Sequence, residues 1–174
     1  MNRKEKDMRR VVLSILVDNT AGVLSRVAGL FSRRGYNIDS LTVGETQDPA
    51  FSRMTVAVHG DDQILEQIEK QLSKLEDVRE IRELVDGESV CRELVLVKVM
   101  AGPKDRQAIV AIADIFRAKI VDVAMESLMI ELTGNQTKLD GFINLLDGFT
   151  VKELVRTGIT GLVRGSGDIE EYLD

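Results

Sequence analysis

Two apolar runs decide the fold: VVLSILV at residues 11–17 and LVLVKV at residues 94–99, about 80 residues apart. Short apolar runs rich in β-branched residues and bounded by turn residues predict buried strands. Helix-start residues follow the first run at 18–22 (DNTAG). Apolar residues then recur with the i, i+3, i+4, i+7 spacing of one helical face, at Leu24, Val27, Ala28 and Phe31.

The chain beyond this helix continues as strand, strand, helix, strand. Gly35 stands where a helix C-terminal cap is expected, and residues 36–46 predict a strand with a possible bulge near Ser40 and Leu41. A third strand alternates over residues 54–58, and an apolar stripe predicts a helix over residues 64–75. Residues 78–84 predict the closing strand. The order is β-α-β-β-α-β.

The same order is repeated after a predicted linker at residues 86–89. Its predicted strands and helices cover residues 94–99, 103–116, 120–125, 128–132, 139–146 and 151–157. We therefore predict an α+β fold of two tandem ferredoxin-like βαββαβ domains, each an antiparallel sheet with both helices on one face. The predicted domains are residues 8–85 and 90–165, with tails at 1–7 and 166–174.

Each predicted sheet leaves one face without helices. Several strands are apolar on both sides, as at residues 94–97, so a second covering surface is expected from another sheet, domain or subunit. This pattern predicts a homodimer or a higher oligomer.

Composition excludes several classes of function. The net charge of −6 gives no basic field for nucleic acid. No apolar stretch approaches the length of a membrane span, and residues 1–7 are too charged for a signal peptide. The single cysteine, Cys91, fits a reducing cytoplasm, which we take as the expected location.

Catalytic and metal-binding groups are scarce. The only histidine, His59, is interpreted as an exposed residue at the end of a strand. It has no histidine or cysteine partner that would complete a metal site, so no metal is expected. Nucleotide-binding glycine motifs are also missing, and independent catalysis is not predicted.

One segment has the properties of a ligand site, namely residues 18–24 (DNTAGVL) between a buried strand and a helix N-terminus. Backbone N–H groups and the helix dipole can hold a small carboxylate there, and Gly22 allows close approach. Asn19 and Asn37 could bind the polar groups of an amino acid. The alternative interpretation is that Asn19 or Thr20 is only a helix N-cap and that Asn37 completes a turn.

The first half is similar to the ACT domain, and the whole chain resembles the small regulatory subunit of acetolactate (acetohydroxyacid) synthase. Ala21 stands where many ACT domains have proline. The stretches that carry the resemblance are residues 18–24, 22–27, 29–43, 52–55, 65–72, 92–94, 115–123, 134–139 and 158–165.

The resemblance implies a non-catalytic subunit that activates a separate large subunit and confers feedback inhibition by valine, in branched-chain amino-acid biosynthesis. No cofactor is expected in this chain, and thiamine diphosphate, Mg and FAD are expected only in the large catalytic partner. In similar proteins the effector sits between the ACT domains of two subunits. The effector-binding residues implied are Asn19, Thr20, Ala21, Gly22, Val23, Asn37 and Ile38.

The second domain has no equivalent of the DNTAG sequence, so assembly and partner contact are its expected roles. Two alternatives remain. The first is an amino-acid-sensing effector domain of another metabolic enzyme or of a transcription regulator, and the regulator would need a helix-turn-helix and a basic surface, which the sequence does not show. A stand-alone enzyme of ferredoxin-like fold would need a titratable cluster in a cleft.

Overall fold

The structure is a computed structural model that describes residues 8–173. The prediction of tails at 1–7 falls outside the described residues. The described chain divides into two compact units: one runs up to Val90 and resumes at Ile159, and the other is Cys91–Gly158. Two βαββαβ units with antiparallel sheets confirm the predicted fold class.

The first unit contains two helices between four antiparallel strands in the order β2-β3-β1-β4. Its elements are β1 Arg9–Asp18, α1 Val23–Arg33, β2 Ile38–Glu45, β3 Phe51–Gly60, α2 Asp62–Leu72 and β4 Val78–Glu83. Alternate residues of β1 and β3 pack against the apolar stripes of both helices. Leu13 and Ile15 are fully buried in this cluster, as the apolar run at 11–17 predicts.

The second unit repeats the arrangement, with strands in the order β6-β7-β5-β8. Its elements are β5 Ser89–Met100, α3 Arg106–Ile115, β6 Lys119–Val123, β7 Ser127–Gly134, α4 Gln136–Leu145 and β8 Val151–Arg156. Val95 and Val97 are fully buried under the helices, whereas Leu94 and Leu96 on the other face are only partly buried.

The C-terminal segment departs from the predicted boundaries of 90–165 and 166–174. From Ile159 the chain belongs to the first unit, where it forms β9 Thr160–Val163 and a 3₁₀ helix at Ile169–Tyr172. Ile159 accepts a hydrogen bond from Thr42 (3.1 Å) and donates one to Ser40 (2.8 Å). Arg82 donates to the Tyr172 hydroxyl and lies over its ring, 5.2 Å from the centroid. The predicted tail is therefore folded onto the first unit.

This segment lies against the helix-free face of the first sheet. That face is buried at Leu16 (0% exposed) and Ala57 (1%), which point away from the helices. Ser40, which pairs with Ala57, and Thr42, which pairs with Thr55, both bond to Ile159, and β9 contacts β3. The cover that the sequence assigns to another sheet, domain or subunit is thus supplied here in part by the chain's own C-terminal segment.

Candidate functional site

The predicted site begins with the β1–α1 loop, residues 19–22. The Asn19 backbone N–H donates to Ala50 O (2.7 Å), and its side-chain amide donates to Pro49 O (2.9 Å) and to Glu45 Oε1 (3.1 Å). Both amide protons are therefore used. Asn19 Oδ1 is consequently the atom of this side chain that can accept a hydrogen bond from a ligand.

Neither Asn19 nor Thr20 is the N-cap of α1, which settles one alternative left open by the sequence. The N-cap is Gly22, and within residues 8–173 no side chain makes a capping bond to α1. Asp61 caps α2 and Asn135 caps α4, whereas α3, like α1, has no bond from its N-cap side chain. The first turn of α1 also has no acidic residue within the described chain. The Val23 N–H donates to Thr20 O (3.3 Å), so the N–H groups that follow it and the positive end of the helix dipole can serve an external carboxylate.

The backbone conformation explains why position 22 is a glycine, independently of any ligand. Its φ is +84°, in the left-handed region that glycine adopts at little cost. A Cβ at this position would also lie 2.9 Å from Arg26 Nη1. The sequence suggests that Gly22 admits a ligand, but its backbone conformation already favours glycine there, while the Arg26 guanidinium is the end of a flexible side chain that can move aside.

A network of charged groups holds the loop against the start of β4. Asp77 accepts hydrogen bonds from Arg26 Nε (2.6 Å) and from the Thr20 hydroxyl (3.2 Å), and its backbone carbonyl accepts from the Asp18 N–H (2.8 Å). Arg79 donates to both Asp18 carboxylate oxygens, at 2.7 and 3.0 Å. The hydrogen bond from Arg26 lowers the pKa of the Asp77 carboxyl, and the bond to Asp18 raises the pKa of Arg79.

Sequence reasoning missed Asp77 and Arg26 as site residues. Arg26 lies 51 positions from Asp77 in the chain. Periodicity and local motifs report only neighbours in sequence, so nothing in the pattern could join them.

The two other predicted loop residues differ in exposure. Ala21 is exposed, and its carbonyl accepts from Arg26 Nη2 (3.4 Å). The Val23 side chain is only 6% exposed and belongs to the hydrophobic core. The Val23 side chain is therefore not available to a ligand, and its N–H already donates to Thr20 O (3.3 Å).

Asn37 and Ile38 lie at the opposite end of the same sheet. Ile38 pairs with Val58 of β3, whereas Asp18 pairs with Phe51. Seven strand positions separate these two levels, or roughly 23 Å at the usual rise of a strand. Within one chain, the structure therefore does not bring Asn37 and Asn19 together.

Asn37 is exposed and its surroundings are polar. Its amide Nδ2 donates to Asp39 Oδ1 (3.3 Å), and the other oxygen of Asp39 accepts from His59 Nδ1. His59 is exposed near the end of β3, in agreement with the sequence interpretation. Ile38 packs against the core of the unit.

Two further properties of the chain bear on its class. No three His, Cys, Asp or Glu side chains in the described part of the chain are grouped so that they could hold a metal ion. Among the same residues, no helix is both long and apolar enough to cross a membrane.

The first unit is an ACT domain: residues 13–80 match a family model described as an AHAS small subunit-like ACT domain. Residues 92–165 match a second model, described as the small subunit of acetolactate synthase. The chain belongs to the acetolactate synthase small-subunit family, the regulatory, non-catalytic subunits of that enzyme.

Similar proteins are found in archaea and bacteria. A probable acetolactate synthase small subunit of Methanothermobacter thermautotrophicus is 50% identical over 89% of this chain and 93% of its own length. The acetolactate synthase isozyme 3 small subunit of Escherichia coli is 48% identical over 91% of this chain and 97% of its own. The crystal structure of an acetolactate synthase small subunit from Thermotoga maritima matches with a TM-score of 0.83 and 44% identity, over 91% of this chain and 99% of that one.

Proposed function

We propose that this chain activates a thiamine-diphosphate-dependent large subunit of acetolactate synthase and makes it subject to feedback inhibition by valine. Family membership establishes a regulatory subunit of this enzyme and implies a catalytic partner. Activation and valine sensing are the finer steps that we propose. Thiamine diphosphate, Mg and FAD would be bound by the large subunit and not by this chain.

The β1–α1 loop is the observation that carries the sensing proposal. The N-terminus of α1 has no side-chain cap within residues 8–173, and the Asn19 amide directs its carbonyl oxygen away from its two donor bonds. An amino acid has one carboxylate and one ammonium group. The helix N-terminus suits the carboxylate, and amide carbonyl oxygens suit the ammonium.

A second copy of the chain would unite the two halves of the predicted site. Strand β2 is at the edge of its sheet, with one side of its backbone open to pairing. In a two-fold dimer the same strand pairs with itself in antiparallel orientation. Such pairing centred on Leu41 and Thr42 sets Ile38 of one copy beside Glu45 of the other. Asn37 of one copy then lies next to Asn19 of the other, since Asn19 bonds to Glu45.

We propose valine as the effector because the resemblance to the family implies it, and leucine and isoleucine are the alternatives. These side chains differ from valine by one methylene, which a pocket distinguishes by only about 1–3 kcal/mol. The proposed setting is the cytoplasm, where Cys91, a free cysteine in the structure, would stay reduced.

A reconstitution assay tests the proposal. The purified large subunit is assayed for acetolactate synthesis with and without this chain, while L-valine, L-leucine and L-isoleucine are each titrated. We expect the chain to raise activity and L-valine to lower it only when the chain is present. Unchanged activity on adding the chain would contradict the whole proposal. Activation without inhibition by any of the three amino acids would contradict only the sensing step.

An Asn37→Ala variant locates the sensor. It should weaken the response to valine about tenfold, the size expected for a lost hydrogen bond to a charged group, and should leave activation intact. Asn144→Ala, which removes an exposed asparagine from α4, is the control and should respond as the wild type does. Loss of activation together with inhibition would indicate a structural role for Asn37.

A further inference from the structure

Strand β2 contains a bulge at Asp39. The register with β3 shifts between Ile38, which pairs with Val58, and Ser40, which pairs with Ala57. Ile38 packs into the core, whereas Ser40 bonds to Ile159 on the opposite face. Asp39 is the extra residue between them, and a bulge of this kind redirects a side chain that regular pairing would hold on one face.

The redirected carboxylate connects two other side chains. One oxygen of Asp39 accepts from His59 Nδ1 on β3, and the other accepts from Asn37 Nδ2 at 3.3 Å. An ionised carboxylate can only accept hydrogen bonds, so it fixes which end of the Asn37 amide faces it. The reverse orientation would set two oxygen atoms against each other. Asn37 Oδ1 is thereby turned away from Asp39.

The second unit provides an internal comparison, because its backbone has the same bulge but no carboxylate at the bulged position. Helix α3 is followed by Arg117 with φ +55°, as α1 is followed by Gly35 with φ +69°. Four residues after each comes the bulge, which is Asp39 in β2 and Val121 in β6. Val121 is apolar and 48% exposed. The bulge therefore belongs to the fold, whereas the carboxylate and its partners belong to the first unit alone.

We propose that Asp39, itself held by His59, is a positioning residue for Asn37. It fixes the Asn37 amide with its carbonyl oxygen outward, ready to accept a hydrogen bond from the ammonium group of the effector. Asn19 presents a carbonyl oxygen in the same way, since its amide protons are bound by Glu45 and Pro49. This inference rests on the proposed sensing function and assigns a role to a residue that need not touch the effector.

Calorimetric titration of the full chain with L-valine, L-leucine and L-isoleucine tests the inference. Asp39→Ala should weaken binding about tenfold, as Asn37→Ala does, because both remove one oriented hydrogen bond to a charged group. The double variant Asn37→Ala/Asp39→Ala should bind no more weakly than Asn37→Ala alone, since Asp39 acts through Asn37. Asp39→Asn keeps an acceptor for the amide and should retain most of the affinity.

Two further variants complete the design. Val121→Ala changes the equivalent bulge position in the second unit and should bind as the wild type does. If Asp39→Ala fails to fold, His59→Ala replaces it, and a smaller loss of affinity is expected because Asp39 loses one of its two anchors.

The outcomes separate this inference from the function on which it rests. Wild-type binding with unchanged affinity in Asp39→Ala overturns the inference and leaves the sensing function standing. Losses that add in the double variant also overturn it, because they assign Asp39 a role independent of Asn37. If the wild type binds none of the three amino acids, the sensing function itself fails, and the inference fails with it.

Discussion

Asp77 shows how one carboxylate can fix the shape of a loop whose own residues lie elsewhere in the sequence. It joins Thr20 and Arg26 of the loop region, and its carbonyl accepts from the N–H of Asp18. The loop backbone at Gly22 is in a left-handed conformation that glycine adopts at little cost, and the Asp77 contacts hold the residues on either side of it. The shape of the predicted effector loop therefore depends on a residue more than 50 positions further along the chain.

Acid should remove the contribution of Asp77 to stability. Arg26 lowers the pKa of this carboxyl in the folded chain. A lowered folded pKa means that the stabilisation is present above the unfolded value of about 4 and is lost as the pH falls through the folded value. Asp77→Asn should therefore have a lower Tm than the wild type near neutral pH, and the difference should shrink below about pH 4.

Thermal unfolding followed by circular dichroism between pH 2 and pH 7 would measure this difference. Asp147→Asn, at an exposed carboxylate of the second unit, is the matched control and should follow the wild type throughout. A difference between Asp77→Asn and the wild type that persisted unchanged into acid would assign the stabilisation to shape and not to charge.

At this scale the sequence predicted the loop but not what holds it. Asn19, Gly22 and Asn37 follow from residue type, position beside a helix start and family resemblance. Their supports, Asp77 and Asp39, depend on contacts across strands, which no local pattern encodes. Binding by the seven predicted effector residues stays a prediction.

Helices α1 and α3 end in the same backbone arrangement, but with different residues at its left-handed position. After each helix one residue has positive φ, and the next N–H bonds to a carbonyl five residues back: Tyr36 to Phe31 O (3.0 Å) and Ala118 to Ala113 O (2.8 Å). This is the Schellman arrangement, in which glycine is strongly favoured. The first unit has Gly35 at the left-handed position, and the second has Arg117.

Replacing Arg117 by glycine should stabilise the chain. Arg117→Gly removes the steric cost of a side chain at φ +55° and should raise the free energy of unfolding by about 0.5–1 kcal/mol. Urea denaturation would measure it. Gly35→Ala is the reverse substitution and should lower the free energy of unfolding by about 1 kcal/mol. A Cβ at Gly35 meets no atom within 4 Å, so the only cost is that of the positive φ. An unchanged midpoint in Arg117→Gly would show that other contacts of Arg117 offset the strain.

Strand β8 is held to β5 by two ion pairs that differ in burial. Glu93 is 6% exposed and receives both Arg156 nitrogens, at 3.0 and 2.9 Å. The second pair joins Lys98 to Glu153 at 2.6 Å, but the Glu153 side chain is 74% exposed. The Arg156→Ala substitution leaves the buried Glu93 carboxylate with only the Gly158 N–H (3.2 Å) as a partner and should lower the free energy of unfolding by about 2–4 kcal/mol. Glu153→Ala, the matched control in the same strand pair, should cost less than about 1 kcal/mol.

Urea denaturation of both variants would measure the loss in free energy of unfolding for each. Equal losses would mean that Glu93 is reached by water once Arg156 is removed. The double variant Glu93→Gln/Arg156→Ala should recover part of the loss, because it removes the uncompensated charge.

The order of elements was predictable because each element of the two repeats has its own periodicity. The predicted helix at residues 64–75 is observed as Asp62–Leu72, and the predicted strand at 151–157 as Val151–Arg156. Strand β9 was missed, since the four residues of Thr160–Val163 have no alternating apolar face of their own. Such a strand forms only where other strands supply hydrogen bonds, and the sequence alone does not indicate this.

On the scale of the whole chain, the first unit consists of two separate stretches of sequence. The ACT-type sheet ends with β4, yet Ile159 returns to it and bonds with Ser40 and Thr42. Apolar residues on both sides of the strands led to the expectation of a second cover from another sheet, domain or subunit, whereas part of the cover on the first sheet comes from the chain itself, and oligomer formation stays a prediction. They could not identify that cover, because its contacts span more than 100 residues.

Truncation of the chain after Gly158 should therefore destabilise the first unit, although it removes none of the strands and helices of either βαββαβ repeat. Ala57, which is 1% exposed and pairs with the Ser40 that binds Ile159, would lose part of its cover and present apolar surface to water. We expect a lower Tm, stronger binding of a hydrophobic dye and concentration-dependent light scattering. Truncation after Gly167 is the control. It keeps Ile159 and β9 and loses the Arg82–Tyr172 contact, so its Tm should fall much less.

The prediction fails if the wild type and the chain cut after Gly158 behave alike. The helix-free face would then be protected without the C-terminal segment, and this segment would have no structural role in the first unit.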